Sequence, residues 1–303
     1  MSENDQNQKL DTDQKTGQPK IVTIVVDDSD LAPLDGKPRL GQYCANLWRS
    51  RSFIRTHALT KVHKNSRDRY LGNLWVILDP IFQVSIYALI FGLILKVDRG
   101  MSNFVGFLVI GVVFFGIFSS GITGGSNLIQ NSRSLITSFT FPRIAVVTSG
   151  IVKLFLDNLV PCLLAVIIAI AFQWGEPIHW SVIFVIPLYL LAHLFAFGTT
   201  AIIARITAFI PDFRSVVTLL SRGLFFLSGV FFEISRFDAS PLLQSIVESN
   251  PIYQFLKAFR SCIIDGSIPG ISSWVFLTVW SVSIATFGFI FFYLAEERYS
   301  VVK

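Results

Sequence analysis

Ionisable side chains inside long apolar stretches are the residues of this sequence best placed to do chemistry. They are Asp79, Lys153, Asp157, His193 and Arg222. Because a charged side chain at the centre of a bilayer costs about 2.5–3.5 kcal/mol on insertion scales, each needs a partner or a function. Lys153 and Asp157 are four residues apart and are expected to pair on one helix face, which favours a structural role. His193 has no second histidine or carboxylate at helical spacing, so its surroundings favour hydrogen-bonded packing over proton relay.

Asp79 and Arg222 have two possible roles each. Asp79 lies in the first turns of the first apolar stretch, where it could contact the preceding basic helix or line an entrance for a substrate. Arg222 could extend its side chain to the membrane interface or bind a lipid diphosphate. The sequence leaves both alternatives open for each residue.

Motifs for catalysis and nucleotide binding are missing from the apolar part of the chain. The densest acidic group, over residues 27–30, lies in the polar N-terminal segment. The glycine cluster of Gly121, Gly124 and Gly125 lacks the lysine that a phosphate-binding loop requires. We therefore predict no catalytic residue, no metal site and no cofactor in this chain. Gly121 and Gly125, four residues apart, instead favour close approach of two helices. A membrane-embedded enzyme or a channel remains an alternative.

The elements that must position these residues are membrane-spanning helices. Apolar residues make up 52% of the 303 residues and charged residues 15%, which is more apolar than a soluble core needs. Six stretches approach or exceed the roughly 20 residues that cross a bilayer as a helix. We predict an all-α polytopic membrane protein with six transmembrane helices, over residues 71–95, 104–122, 144–172, 180–203, 216–232 and 275–294.

A basic amphipathic segment precedes the first of these spans. It contains seven basic residues: Arg49, Arg51, Arg55, Lys61, Lys64, Arg67 and Arg69. Because lysine and arginine are retained on the cytoplasmic side, this segment predicts a cytoplasmic N terminus and, after six spans, a cytoplasmic C terminus. We predict an interfacial helix over residues 47–64. Residues 1–40 are polar and mixed in charge and predict a disordered cytoplasmic tail, so that residues 41–303 form the transmembrane domain.

Two further segments are too short to span a membrane and too apolar for ordinary loops. Residues 127–143, on the predicted cytoplasmic side, indicate a short helix ended by Pro142, which could receive a push from a soluble partner. A plain reversing loop is the alternative. Residues 241–270 contain two apolar pieces separated at Asn250 and Pro251. They predict a re-entrant pair of half-helices in the outer leaflet, with an amphipathic surface helix as the alternative.

The order of these motifs resembles a known family. After the basic helix come RYLGNLWVILDPIFQVSIYALIFGLIL, NSRSLITSFTFPR, RITAFIPDFR, LSGVFFEIS and SNPIYQFLKAFR. From residue 47 to residue 303, this order and spacing resemble the permease subunit of ABC-2-type exporters, and most closely the branch that moves lipid-linked polysaccharides, the Wzm and TagG type. Asp79 departs from the family pattern, in which an uncharged residue is expected before the proline.

The resemblance implies a permease and not an enzyme. It implies a homodimer in a bacterial inner membrane, paired with two copies of a separate ATPase that binds ATP and Mg. Residues 127–143 would then be the coupling helix, with Asn127, Arg133, Pro142 and Arg143 as candidate contacts to the ATPase. Arg133 and Arg143 could instead serve only as orientation charges.

The implied substrate is a lipid-linked polysaccharide of the O-antigen, teichoic acid, capsule or cell-wall galactan type. A drug or a small lipid is the alternative. Its head group is expected to enter near Arg69, Asp79 and Arg222. Because sugar rings stack on aromatic side chains, aromatic residues of the first and fifth spans are candidates for the lining of the path: Phe82, Tyr87, Phe91, Phe225, Phe226 and Phe232.

Overall fold

The computed structural model describes residues 39–67, 74–94, 103–139, 141–173, 177, 179–232 and 241–300, and every regular element within them is helical. The α-helices are α1 (Leu40–Arg49), α2 (Arg51–Arg67), α3 (Leu74–Tyr87), α4 (Phe104–Gly125), α5 (Leu128–Asn131), α6 (Arg133–Ser138), α7 (Ile144–Ala171), α8 (Val185–Phe209), α9 (Phe213–Leu227), α10 (Pro241–Ser249), α11 (Pro251–Ile263) and α12 (Ile271–Tyr293). The π-helical turns Ala88–Ile94 continue α3, and the 3-10 turns Trp180–Phe184 and Glu296–Ser300 precede α8 and follow α12. The predicted tail lies outside the described residues except at its end, where α1 begins.

Four of the six predicted spans are confirmed by length and composition. They are α4, α7, α8 with its preceding 3-10 turn, and α12, each long and apolar enough to cross a membrane. The predicted first span is a shorter apolar helix, Leu78–Gly92 within α3 and the turns that follow it.

The predicted fifth span is wrong at its C-terminal end. α9 has 15 residues, which is about 22 Å at 1.5 Å per residue, against about 30 Å for a hydrocarbon core. It ends at Leu227 and not at Phe232, because Gly229 adopts a left-handed conformation (φ +64°) and turns the chain.

The central helix of the bundle is α4, which is buried along most of its length between α7 and α8. Its glycines allow α8 to approach closely. A Cβ on Gly121 would lie 2.9 Å from the Cβ of Ala196, and one on Gly125 would lie 2.7 Å from the carbonyl oxygen of Thr200. The hydroxyl of Thr200 donates a hydrogen bond of 2.7 Å to the carbonyl of Gly121. The close approach predicted at Gly121 and Gly125 is therefore confirmed.

The basic segment forms two helices where one was predicted. α1 and α2 meet at Ser50, and α2 packs along α7. The Phe53 ring lies 4.7 Å from that of Phe141, and Nδ1 of His57 lies 2.9 Å from Oγ of Ser149. Because the contact positions advance in the same direction on both helices, α2 and α7 run side by side in the same sense.

The short helices lie at the two ends of the bundle. α5 and α6 connect α4 to α7 at one end, which also contains α1 and the turn Glu296–Ser300. α10 and α11 lie at the other end, with the start of α4 and the end of α7. There, Nδ2 of Asn103 donates to the carbonyl of Ala169 at 2.9 Å, and Gln173 donates to the carbonyl of Ile264 at 2.8 Å.

Candidate functional site

The α5–α6 segment is held on the bundle by apolar side chains. Ile129 and Ile136 are buried in a hydrophobic cluster with residues of α1, α7, α8 and α12. Gln130 donates from Nε2 to the carbonyl of Thr207 at 3.1 Å. The segment predicted as one short helix is thus two short helices with a fixed inner face.

Only some of the residues predicted to contact an ATPase are exposed on this segment. Asn127 and Arg133 are exposed, whereas Pro142 is buried and Arg143 is partly buried. Phe139, which the sequence reasoning missed, is 62% exposed just after α6. Together, Asn127, Arg133 and Phe139 are a candidate docking surface, because exposed apolar and arginine side chains are common contacts in protein interfaces. The only sequence signal for Phe139 is the aromatic pair it forms with Phe141 around one residue, and that pair does not reveal which ring is exposed.

Arg143 participates in a buried cluster, the Glu296 cluster, formed by Tyr43, Arg143, Ile144 and Glu296. Glu296 is only 4% exposed. Its Oε1 accepts from the backbone N–H of Arg143 at 2.7 Å and lies 3.5 Å from Nη1 of the same residue. Its Oε2 accepts from the hydroxyl of Tyr43 at 2.7 Å, and that hydroxyl accepts from the N–H of Ile144 at 3.3 Å. The cluster joins α1, the start of α7 and the C-terminal turn.

Burial is the main cause of the pKa shifts in this cluster. It raises the pKa of Glu296 above its ordinary value, against the opposing hydrogen bonds from Arg143 and Tyr43. Burial and the neighbouring carboxylate raise the pKa of Tyr43, so its phenol stays neutral and donates. Sequence reasoning missed both residues, because the hydrogen bond between them joins positions 253 apart in the chain and follows no local pattern.

Predicted path residues converge into an aromatic cluster of Tyr87, Phe91, Phe225, Phe226 and Phe231. The rings of Tyr87 and Phe225 lie 5.7 Å apart, and the ring of Phe91 stacks on that of Phe231 at 4.1 Å. Phe231, which was not predicted, is at the centre and 3% exposed. The cluster joins the end of α3 and the π-helical turns after it to the end of α9.

The remaining predicted path and entrance residues are more scattered. Phe82 on α3 is exposed and Phe232 is partly buried. Asp79 and Arg222 are exposed on α3 and α9, and no ion pair joins these two side chains. Arg69 lies outside the described residues.

Asn250 and Pro251 separate α10 from α11, as predicted. The Asn250 side chain caps α11 by accepting from the N–H of Ile252 at 3.0 Å, and it donates to Oγ of Ser228 at 3.0 Å. Pro251 occupies the first helical position, where its missing N–H removes nothing.

One buried cation fixes α11 to the rest of the bundle. Arg260 is 6% exposed, and its guanidinium donates to the carbonyls of Gly229 at 2.8 Å, Val230 at 3.1 Å and Phe107 at 3.2 Å. It also lies over the Phe107 ring, 3.4 Å from the centroid. The sequence analysis assigned no role to Arg260.

Two of the predicted intramembrane interactions are present. Lys153 donates to Oδ2 of Asp157 in the expected ion pair. His193 is buried, with Nδ1 2.8 Å from the carbonyl of Tyr189 and its ring against Phe155. Both arrangements are those expected of structural residues.

A bundle that contains four apolar helices of spanning length, two of them joined by the short helices α5 and α6, is the architecture of a polytopic membrane protein. Residues 56–264 match the family model described as ABC-2 type transporter. The chain belongs to the ABC-2 type transporter family.

Curated relatives share modest identity over most of their length. The chain is 24% identical over 204 residues to the O-antigen export system permease protein RfbA of Myxococcus xanthus, covering 67% of this chain and 76% of that protein. It is 25% identical to a protein of the same name from Klebsiella pneumoniae, covering 68% and 79%. It is 23% identical over 238 residues to the polysialic acid transport protein KpsM of Escherichia coli, covering 75% and 87%.

Proposed function

We propose that this chain is the membrane-spanning permease subunit of an ATP-driven exporter that moves a lipid-linked polysaccharide from the cytoplasmic side to the outer face. The observation that carries this proposal is the similarity to permeases for O-antigen and polysialic acid over about three quarters or more of their length. The chain supplies the path, and a separate ATPase binds ATP and Mg and supplies the energy.

The assembly is a homodimer with two copies of the ATPase. Large apolar side chains on α3 and α9 support it, because they are exposed in one copy of the chain: Phe82, Ile86, Leu219, Leu220 and Phe226. A second copy would cover part of these faces. The rest would face lipid or the substrate.

The protein lies in the bacterial inner membrane with both termini in the cytoplasm. The basic helices α1 and α2 and the segment over residues 127–143 then lie on the cytoplasmic side. The segment over residues 241–270 forms the outer re-entrant element, which is supported by the break at Asn250. Residues 41–303 form the transmembrane domain, and residues 1–40 are a cytoplasmic tail.

The substrate path runs along α3 and α9. The lipid head group enters near Arg69, Asp79 and Arg222, where the exposed guanidinium of Arg222 can hold a diphosphate. Above them, Phe82 and Phe226 offer exposed rings on which sugar faces can stack while the chain slides.

Reconstitution tests this function directly. The chain is expressed with the ATPase encoded beside its gene, and the two are co-purified and placed in vesicles. We expect a stable complex whose ATP hydrolysis is stimulated by lipid-linked glycan and which delivers that glycan to the opposite leaflet. A complex stimulated only by small amphiphiles would favour a drug or small-lipid exporter, and no association with the ATPase would overturn the proposal.

The docking surface is tested with two variants. Arg133→Glu reverses an exposed charge, and Phe139→Ala removes the exposed ring, so both should weaken ATPase binding while the permease remains folded. Lys257→Glu is the matched control, because Lys257 is also an exposed cation and lies on α11 at the other end of the bundle. Arg143 is a poorer target, since its substitution also disturbs the Glu296 cluster.

A further inference from the structure

Two N–H groups at the start of α7 donate to side chains from near the two ends of the described chain, Glu296 and Tyr43. The first N–H groups of a helix have no intrahelical partner, and no local side chain caps α7 at Arg143. The carboxylate of Glu296 accepts from the N–H of Arg143, and the hydroxyl of Tyr43 accepts from the N–H of Ile144. A negative group at this position also suits the positive end of the helix dipole.

Stability alone does not explain a carboxylate at this position. Burial raises the pKa of Glu296, so its ionised form is less favourable here than in water. A neutral glutamine of the same shape would avoid that cost. Only a carboxylate, however, can accept at both oxygens, from the N–H of Arg143 and from the hydroxyl of Tyr43.

The bonds of Glu296 join elements that surround the docking surface. α6 contacts the turn Glu296–Ser300, and Ile136 of α6 lies in the same hydrophobic cluster as Tyr43. A displacement of α6 therefore presses on the turn that holds Glu296. From there two hydrogen bonds lead to α7 and α1.

We infer that Glu296 is a positioning residue for energy coupling: its carboxylate ties the α5–α6 docking segment to the first turn of α7 and to α1, so that a push on the segment moves both helices together. The inference rests on the proposed function. It adds the route by which ATPase movement reaches the membrane-spanning helices.

Variants of Glu296 separate this role from a purely structural one. Glu296→Gln retains one acceptor for the N–H of Arg143 and loses the second, for the Tyr43 hydroxyl. Because the variant also avoids the cost of burying a charge, the permease should remain as heat-stable as the wild type. The number of ATP molecules hydrolysed per glycan exported should nevertheless rise, by about 2- to 30-fold for residues that carry coupling between sites. Glu296→Ala, which loses both acceptors, should show a larger rise. Glu248→Ala, which removes an exposed carboxylate on α10 at the other end of the bundle, should leave the ratio unchanged.

A charge exchange gives an independent test. In the double variant Arg143→Glu with Glu296→Arg the ion pair is restored, but the N–H at position 143 has no carboxylate to accept its hydrogen bond. We expect the exchanged protein to remain uncoupled. Recovery of the wild-type ratio would overturn the inference in favour of a simple ion pair.

The remaining outcomes also discriminate. If wild-type export is coupled to ATP hydrolysis and Glu296→Gln matches it, the inference fails while the proposed function stands. If the wild-type chain neither binds the ATPase nor exports a glycan, the proposed function itself fails. Lower heat stability in step with the lost coupling would identify Glu296 as structural only and would also overturn the inference.

Discussion

Removal of the Arg260 guanidinium should release α11 from the bundle. In Arg260→Leu, the carbonyls of Gly229 and Val230 lose the donors that satisfy them just beyond the end of α9. Because each buried acceptor left unsatisfied costs about 1–3 kcal/mol, the pair amounts to about 2–6 kcal/mol. Arg260→Lys keeps the charge but lacks the planar fork that reaches several carbonyls, so it should lie between Arg260→Leu and the wild type.

The same contact can be broken from the opposite side. A Cβ on Gly111 would lie 2.5 Å from Nη2 of Arg260 and 2.9 Å from the carbonyl oxygen of Val230. Gly111→Ala should therefore displace the guanidinium, and its effect should not add to that of Arg260→Leu. Gly116→Ala is the matched control on α4, because a Cβ there meets nothing within 4 Å.

Heat inactivation of the purified permease, followed by loss of the native peak in size-exclusion chromatography, measures these effects. Hydrogen exchange of α10 and α11 then shows whether this end opens first. Lys257→Leu, on an exposed position of α11, should change stability by no more than about 0.5 kcal/mol. Equal inactivation temperatures for Arg260→Leu and Lys257→Leu, or additive effects of Gly111→Ala and Arg260→Leu, would refute the reasoning.

Three further predictions concern stability. Gly288→Ala should destabilise the permease by about 1–3 kcal/mol, because its Cβ would lie 2.4 Å from the carbonyl oxygen of Gly198. Gly223→Ala is the control and should leave the stability unchanged, because a Cβ there meets nothing within 4 Å. Equal unfolding of the two variants would contradict the close packing of α8 on α12. Asn103→Ala should cost about 0.5–2 kcal/mol, since this side chain caps α4 by accepting from Gly106 at 2.8 Å; hydrogen exchange at the start of α4 reports the loss. Because burial raises the pKa of Glu296 in the folded state, the stability that this group contributes grows as the pH falls through that pKa. Between about pH 7 and 5, the wild type should therefore lose less stability than Glu296→Gln. Identical melting curves for the two proteins over that interval would exclude the effect.

The sequence predicted the elements that depend on local composition. Hydropathy gave α4, α7, α8 and α12, because a long apolar run has no stable alternative to a helix in lipid. Spacing gave the Lys153–Asp157 pair and the close approach at Gly121, since both depend on the helical repeat of about 3.6 residues.

The contacts that define the candidate site could not be predicted in the same way. The hydrogen bonds of Arg260, and one of those of Glu296, go to backbone groups, which every residue carries and which leave no trace in the sequence. The end of α9 was misplaced for the same reason. Hydropathy continues through Val230 and Phe231, whereas the left-handed turn at Gly229 and the donors from Arg260 end the helix earlier.

The two ends of the bundle are fixed by one kind of interaction. Glu296 accepts from the N–H of Arg143, the residue just before α7, and Arg260 donates to carbonyls just past α9. An exposed ion pair contributes at most about 1 kcal/mol and weakens in salt, whereas a hydrogen bond from a buried charged group contributes about 1.5–3 kcal/mol. Because the partners are backbone groups at helix ends, neither side chain can shift without moving a helix or breaking these bonds. If export requires either end to change shape, that change should therefore proceed by movement of whole helices. The stability of both ends should not depend on salt concentration.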